Sequence, residues 1–325
     1  NVLPAEVRDQ MGLSYLFARA ADTIADTDLI SRSRRLEYLN QFRAQFKGGE
    51  IQWDAIREIQ AALLPHQKDS AEHVLLQRLG DCLKLYEQYS PGDRERIQWL
   101  MEVLPRGMEM DLTRFPGESA ADLTALATLE ELDQYTYYVA GCVGEFWTRM
   151  VCAHRPAMAQ WDIARMSAIG VRFGKGLQLT NIVKDIARDL HHGRCYVPQS
   201  LLQEAGLQPA DLLHANSLEK FRPVLHRLIA LALEHLEQGW SYTMAIPSSE
   251  IRQRLACMWP ILLAGETLQR VAVAPGLLDP AVNVKAPRSV VYRVMALTIL
   301  TGASGQVATA SWNRLRDSLK FVTAV

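Results

Sequence analysis

A chain of 325 residues, 49% of them hydrophobic, can bury a large core, and its formal net charge of -1 gives no general attraction to nucleic acid or acidic membranes. No nucleic-acid partner is expected. Five scattered cysteines, Cys82, Cys142, Cys152, Cys195 and Cys257, include no Cys-x-x-Cys pair, which argues against a disulfide framework or a zinc site and fits a reducing cytosol.

The chain starts at Asn1 without a signal-peptide pattern, so the native start is expected upstream. Over residues 6–24, Val7, Met11, Leu13, Leu16, Phe17 and Ala20 recur at helical spacing. The same helix carries Tyr15, Arg19, Asp22 and Asp26 at steps of four, three and four. That stripe reads either as a solvated face with an ordinary Arg–Asp pair or as one side of a site. Residues 29–46 form an Arg-rich amphipathic helix that ends at Lys47-Gly48-Gly49. Helices over 53–64, 70–89 and 93–110 follow as scaffold, with stops at Pro65 and Pro91-Gly92 and a loop over 113–119.

A helix over 132–153 holds Tyr135 and the small-residue run Ala140-Gly141-Cys142-Val143-Gly144. Glycine inside a helix costs about 1 kcal/mol relative to alanine, so two within four residues require a reason. Close packing of a neighbouring helix supplies one, and close approach of a ligand another. Tyr135 reads as a core tyrosine or as a hydroxyl facing a reactive ligand.

Residues 163–190 place Gln178, Asn181, Asp185 and Asp189 at steps of three, four and four, on one helix face. Leu179, Ile182, Val183 and Ile186 between them predict a buried helix, hence two carboxylates on a buried face. Unpaired buried charge is costly and like charges repel, so a cation should fill the gap. Asp22 and Asp26 form the other Asp-x-x-x-Asp pair of this kind, and two pairs facing one cavity make a site for a hard cation. Magnesium bound by few carboxylates takes its other ligands from water and phosphates. His191-His192-Gly193-Arg194 breaks the helix, and the adjacent histidines read as a solvated cap rather than as metal ligands.

Helices over 222–245, 249–271 and 289–319 complete the series, with Lys285 and Arg288 as a small basic cluster at the end of the loop 275–287. The apolar run 290–308, interrupted by Arg293, Gly302 and Gly305, reads as a core helix rather than a membrane span. No strand alternation, dinucleotide-binding fingerprint or internal repeat is apparent, which predicts an all-α single domain over residues 1–325. The chemistry implied is a magnesium and diphosphate site at the mouth of an apolar cavity. Departure of diphosphate leaves a carbocation that apolar walls protect from water and aromatic faces stabilise, so the substrates should be prenyl diphosphates.

Three segments, ARAADTIADT over 18–27, YTYYVAGCVG over 135–144 and LQLTNIVKDIARDLHHGRCYVP over 177–198, resemble the signatures of the squalene and phytoene synthase family, in order. The resemblance implies an all-α prenyl synthase fold around a central cavity. It also implies head-to-head joining of two farnesyl diphosphates through presqualene diphosphate, with NADPH as reductant in squalene-forming members. Carried over by position, Asp22, Asp26, Asp185 and Asp189 hold magnesium, while Gln178 and Asn181 line the same site. Arg19 and Tyr15 match diphosphate-side residues, Tyr135 the tyrosine of the first half-reaction, and Val143 and Gly144 the cavity wall. Lys184, Lys285 and Arg288 would meet diphosphate or the NADPH phosphate.

The chain departs from the family pattern at Ala25 and Arg188, where many relatives carry an extra acid, and the family's upstream Ser-Arg segment is absent. Tyr196-Val197-Pro198 is similar to phytoene-type and many bacterial members. The resemblance is strongest to bacterial squalene-forming members, with condensation lacking the reduction, to dehydrosqualene or phytoene, as the alternative. A non-catalytic isoprenoid-binding protein is the alternative of another class, and it leaves the carboxylates as an unexplained cost. The expected location is the cytoplasm, with peripheral contact at the inner face of the membrane.

Overall fold

The computed structural model describes residues 2–301 and 305–323, with side chains described up to residue 320. It is built almost wholly of helices: α1 (Ala5–Asp26), α2 (Arg32–Ala44), α3 (Trp53–Leu63), α4 (Ser70–Gln77), α5 (Leu79–Glu87), α6 (Pro91–Val103) and α7 (Pro105–Arg114) come first. Then follow α8 (Leu129–Thr136), α9 (Cys142–His154), α10 (Ile163–His191), α11 (Gln199–Glu204), α12 (Leu218–Ala245), α13 (Ile251–Val273), α14 (Arg288–Leu300) and α15 (Gly305–Thr323). The expected all-α class holds.

Local chemistry sets several of these ends. Asp69 caps α4 by accepting from the amides of Ala71 and Glu72, Ser90 caps α6 ahead of Pro91, and Asp162 caps α10 through the Arg165 amide. α10 stops at Gly193, which takes a φ of 77° with its amide on the Leu190 carbonyl. A Cβ there would lie 2.8 Å from the Ser119 carbonyl oxygen, so glycine is required twice over.

Apolar faces gather into two main cores. The first joins α1, α2 and α5 through Phe17, Phe42, Phe46 and Tyr86, whose ring centroids lie 4.9 to 6.3 Å apart. Full burial of a phenylalanine such as Phe17 stabilises the fold by roughly 2–3 kcal/mol. The second core packs α10 and α12 against α13 and α15, with Trp240 and Trp312 stacked at 5.6 Å. α9 sits between them, sending Cys142, Phe146 and Met150 into the first core. All five cysteines are free.

Four expectations need correction. The expected helix 93–110 divides at Pro105, which has no amide to donate and opens α7 at its first position while Leu104 keeps helical backbone angles. The 70–89 stretch divides at Arg78. The 289–319 stretch is two helices, and Gly302 lies outside the described residues. Nor is 290–308 simply core: α14 buries Val290, Val294 and Thr298 but exposes Tyr292, Leu297, Ile299 and Leu300. Among the described residues no helix is long and apolar enough to cross a membrane.

One element left no strand signal. β1 (Thr124–Ala125) and β2 (Arg194–Cys195) pair in parallel, each too short for alternation to show, and they pin the chain leaving α10 against the loop after α7.

Candidate active site

The site begins with two helices that touch backbone to backbone. A Cβ on Gly144 of α9 would overlap the Gly170 carbonyl of α10, and one on Gly174 would overlap the Ala140 carbonyl. Close helix packing therefore accounts for the glycines, and it leaves Val143 and Gly144 free to serve also as cavity wall. Between α8 and α9 the segment Tyr137–Gly141 is π-helical. Such an expanded turn shifts the faces before and after it, so Tyr135 joins a polar hollow while Val139, Ala140, Val143 and Gly144 line an apolar one.

The apolar cavity has a volume of about 610 Å³. Its walls come from α9, from Phe173 and Leu177 of α10, from Tyr242 of α12, and from Ala256, Cys257 and Pro260 of α13. Tyr15 of α1 and Asn181 of α10 line it too, so the two predicted stripes meet on one cavity. The Tyr242 and Thr148 hydroxyls are bonded to each other at 2.9 Å, so neither is free on the α12 side of the wall. A larger hollow, about 820 Å³, lies outside this region between α6, α9 and α10, and its Arg96 and Arg149 are already paired with Asp93 and Glu145.

On α1, Arg19 donates to Asp22 at 2.6 Å and also pairs with Glu72 of α4. Asp26 accepts from Arg194 at 3.4 Å. Burial, and then the negative charge of Asp26, push the Asp22 carboxyl up to about 6 against the opposing pull of Arg19. On α10, Asp185 is met by Lys184 at 3.1 Å and Arg188 at 3.2 Å, and Arg188 lies 4.0 Å from Asp189. Burial raises Asp189 to about 7, with Arg188 opposing and Asp185 adding to the rise.

The expectation that this α10 face is buried and short of positive charge needs correction. Asn181 is exposed, Gln178, Asp185 and Asp189 are half-buried, and two cations stand beside the acids.

Beside these stripes lies a compact polar hollow of about 180 Å³ lined by Asp22, Asp26, Asp111, Tyr135, Arg194 and Tyr196. Asp111 of α7 accepts from the Tyr135 hydroxyl at 3.2 Å and the Tyr196 hydroxyl at 3.0 Å, with Arg194 at 3.9 Å. The two tyrosine rings stack at 4.7 Å. Burial pushes the Asp111 carboxyl up to about 7 against Arg194, and the Tyr135 phenol well above its ordinary value.

Asp111, Arg194 and Tyr196 were not among the residues that sequence spacing singled out. The available signal was slight: Gly107, four residues before Asp111, where a Cβ would overlap Val139 and so keep α7 close to the π-helical segment.

The predicted residues thus fall into four groups, with Arg19 paired to Asp22 beside the second. Tyr15, Val143, Gly144 and Asn181 share the apolar cavity, and Asp22, Asp26 and Tyr135 share the polar hollow. Lys184, Gln178, Asp185 and Asp189 stand on the α10 face. Lys285 and Arg288 are exposed at the entry to α14 and line no wall of this cavity.

The four aspartates do not form a ready-made cage. Among the described residues no group of three or more His, Cys, Asp or Glu is gathered closely enough to hold a metal ion. Asp22 and Asp189, whose protons are held to pH 6–7 by burial and by the neighbouring acid, nonetheless fit a hard cation that shares phosphate oxygens, which needs only one or two acids per ion.

Known proteins fix the family. The squalene/phytoene synthase family model matches residues 1–289. A squalene synthase of Schizosaccharomyces pombe is 25% identical over 288 residues, covering 89% of this chain and 59% of that one. A bifunctional lycopene cyclase/phytoene synthase of Arthroderma gypseum is 34% identical over 225 residues, covering 67% of this chain. The chain therefore spans 59% and 34% of the lengths of these two relatives.

Of solved structures, ligand-bound TcSQS superposes with a TM-score of 0.73 at 19% identity, covering 99% of this chain and 92% of that one. A ligand-bound dehydrosqualene synthase superposes at 0.56 and 19% identity, covering 91% and 88%. These likenesses bear on the fold, and the family match extends over most of the sequence that builds the cavity and both acidic stripes: the chain belongs to the squalene/phytoene synthase family.

Proposed function

We propose that residues 1–325 form one catalytic unit that joins two farnesyl diphosphates head to head through presqualene diphosphate and reduces the product to squalene with NADPH. The observation that carries this reading is the apolar cavity shared by Tyr15 of α1 and Asn181 of α10, with an acid pair further along each of those helices.

In the first step the allylic C–O bond breaks and its electron pair leaves with diphosphate. Arg19, Lys184 and Arg194 carry the positive charge that meets the leaving group, and the cavity wall keeps water from the cation. Magnesium held by Asp22, Asp26, Asp185 and Asp189 together with phosphate oxygens would add Lewis-acid stabilisation of that group. The double bond of the second farnesyl diphosphate supplies the electron pair for the new C–C bond, and the cation this leaves closes to the cyclopropane with loss of a proton. The Tyr135 hydroxyl donates to Asp111, so its free lone pair is placed to take that proton and pass its own to the carboxylate. Lys285 and Arg288 have no ion-pair partner among the described residues and remain open to the phosphates of NADPH, whereas Lys184 is held by Asp185.

Incubation with farnesyl diphosphate and Mg2+, with and without NADPH, tests the reading. Squalene formed only with NADPH supports it, and dehydrosqualene formed whether or not NADPH is present contradicts the reductive step. Two observations favour that non-reductive second reading: Tyr196-Val197-Pro198, and the identity with a phytoene synthase. The exposed apolar residues of α14 support peripheral contact with a membrane, where a product this greasy would be released.

A further inference from the structure

α13 carries a proline inside the helix, Pro260, and it does so at the cavity wall. Proline is the least favourable residue in a helix interior, because its ring clashes with the preceding turn and it has no N–H to donate. The carbonyl left without its helical donor is that of the residue four positions earlier, Ala256. A helical carbonyl points along the axis toward residue i+4, and Ala256 and Pro260 both line the cavity. The freed oxygen therefore lies on the stripe of α13 that faces the hollow.

The other polar groups on the α12 and α13 walls do not compete for the role. The Tyr242 hydroxyl is engaged with Thr148, and burial pushes the Cys257 thiol up to about 12, so it stays uncharged.

We propose that the Ala256 carbonyl, released by Pro260, is a fixed negative dipole in the cavity wall that stabilises the carbocation formed when diphosphate departs. The assignment rests on the prenyl-transfer reading. In that step the C–O bond electrons leave with diphosphate and the positive charge stays on the allylic carbons. An unpaired carbonyl oxygen attracts that charge without offering a nucleophile strong enough to quench it. Aliphatic walls exclude water but supply no negative potential, the rings of Trp147, Phe173 and Tyr242 supply a diffuse one, and a preorganised dipole in a dry cavity is worth far more than one in water.

The test uses Pro260→Ala and Pro260→Val in the full chain. Both restore the N–H, and the second keeps most of the proline's bulk. Each protein is titrated, with Mg2+ and inorganic diphosphate present, with a farnesyl-chain probe ending in trimethylammonium and with its neutral tert-butyl isostere. The expected result is a loss of about tenfold for the cationic probe and less than about twofold for the neutral one, with an unchanged or higher melting midpoint. Equal losses for both probes would assign Pro260 a role in shape and overturn the proposal. So would an undiminished preference for the cationic probe, or a lower melting midpoint in both variants. If the unsubstituted protein binds neither probe, the prenyl-transfer reading falls and takes this one with it.

Discussion

On α1 the acid pair shares its cations with other parts of the fold: Arg19 is divided between Asp22 and Glu72, and Asp26 reaches Arg194, which Asp111 also approaches. On α10 the pair is answered from its own helix, with Lys184 and Arg188 on Asp185 and Arg188 near Asp189. Identical spacing thus gives two different electrostatic faces. The α1 face carries more carboxylate than guanidinium, whereas the α10 face is close to neutral because Lys184 and Arg188 balance its two acids. Demand for an external cation therefore falls mainly on α1, and α10 contributes position.

Removing one acid from each face breaks the comparison most directly. Asp22→Asn should lower kcat by about 10³-fold and Asp185→Asn by about 10²-fold, with unchanged circular dichroism, as measured by turnover of farnesyl diphosphate. Equal losses would mean that the charge difference between the faces has no catalytic consequence. Tyr135→Phe comes next: formation of the cyclopropyl intermediate should slow by about 10- to 100-fold while the melting midpoint moves little. A normal yield of that intermediate would leave Tyr135 as packing for Tyr196.

Position on α10 depends on the glycine crossing. Gly170→Ala must push α10 off the Gly144 carbonyl and should destabilise the fold by about 1–3 kcal/mol in denaturant titration. Gly12 of α1 has open space around its Cβ position, so Gly12→Ala should stabilise by about 0.5–1 kcal/mol. The opposite signs would show which stripe sits on a locked helix.

Acidity offers a smaller test. Asp22 is raised from 3.8 to about 6, and Asp111 and Asp189 from 3.8 to about 7. A carboxyl with a raised folded pKa favours the folded state at low pH, and that contribution is lost as pH rises through the folded value. The metal-free melting midpoint should therefore fall between pH 5 and pH 8. Mg2+ with diphosphate should raise it more at pH 8 than at pH 5, where Asp22 and Asp189 are protonated. The smallest change is Arg188→Ala, which should raise the affinity of the α10 face for Mg2+ by only a few-fold, because the arginine is mostly exposed.

Much of this was legible in the residues. Helical periodicity placed α1 and α10 within a few residues, because apolar residues recur at helical spacing in both and Asp162 and Gly193 mark the ends of α10, and the acid stripes followed from spacing alone. The division at Pro105 and the π-helical turn were not legible, since one depends on a single residue inside a good helical pattern and the other on a register change that periodicity averages away. Asp111 was invisible because its importance comes from three partners remote in sequence, Tyr135, Tyr196 and Arg194. Burial of the α10 face was misjudged because the apolar residues between the acids face the core while the acids themselves stay half-exposed beside Lys184 and Arg188.

The central claim is that acids from two helices act together on one diphosphate. Calorimetric titration of Mg2+ in the presence of farnesyl S-thiolodiphosphate, on the unsubstituted protein, Asp22→Asn and Asp185→Asn, tests it most directly. Tight Mg2+ binding that appears only with the diphosphate analogue, and is weakened in both variants and more in Asp22→Asn, is the predicted result. Tight binding without the analogue, or binding that either substitution leaves untouched, would contradict it.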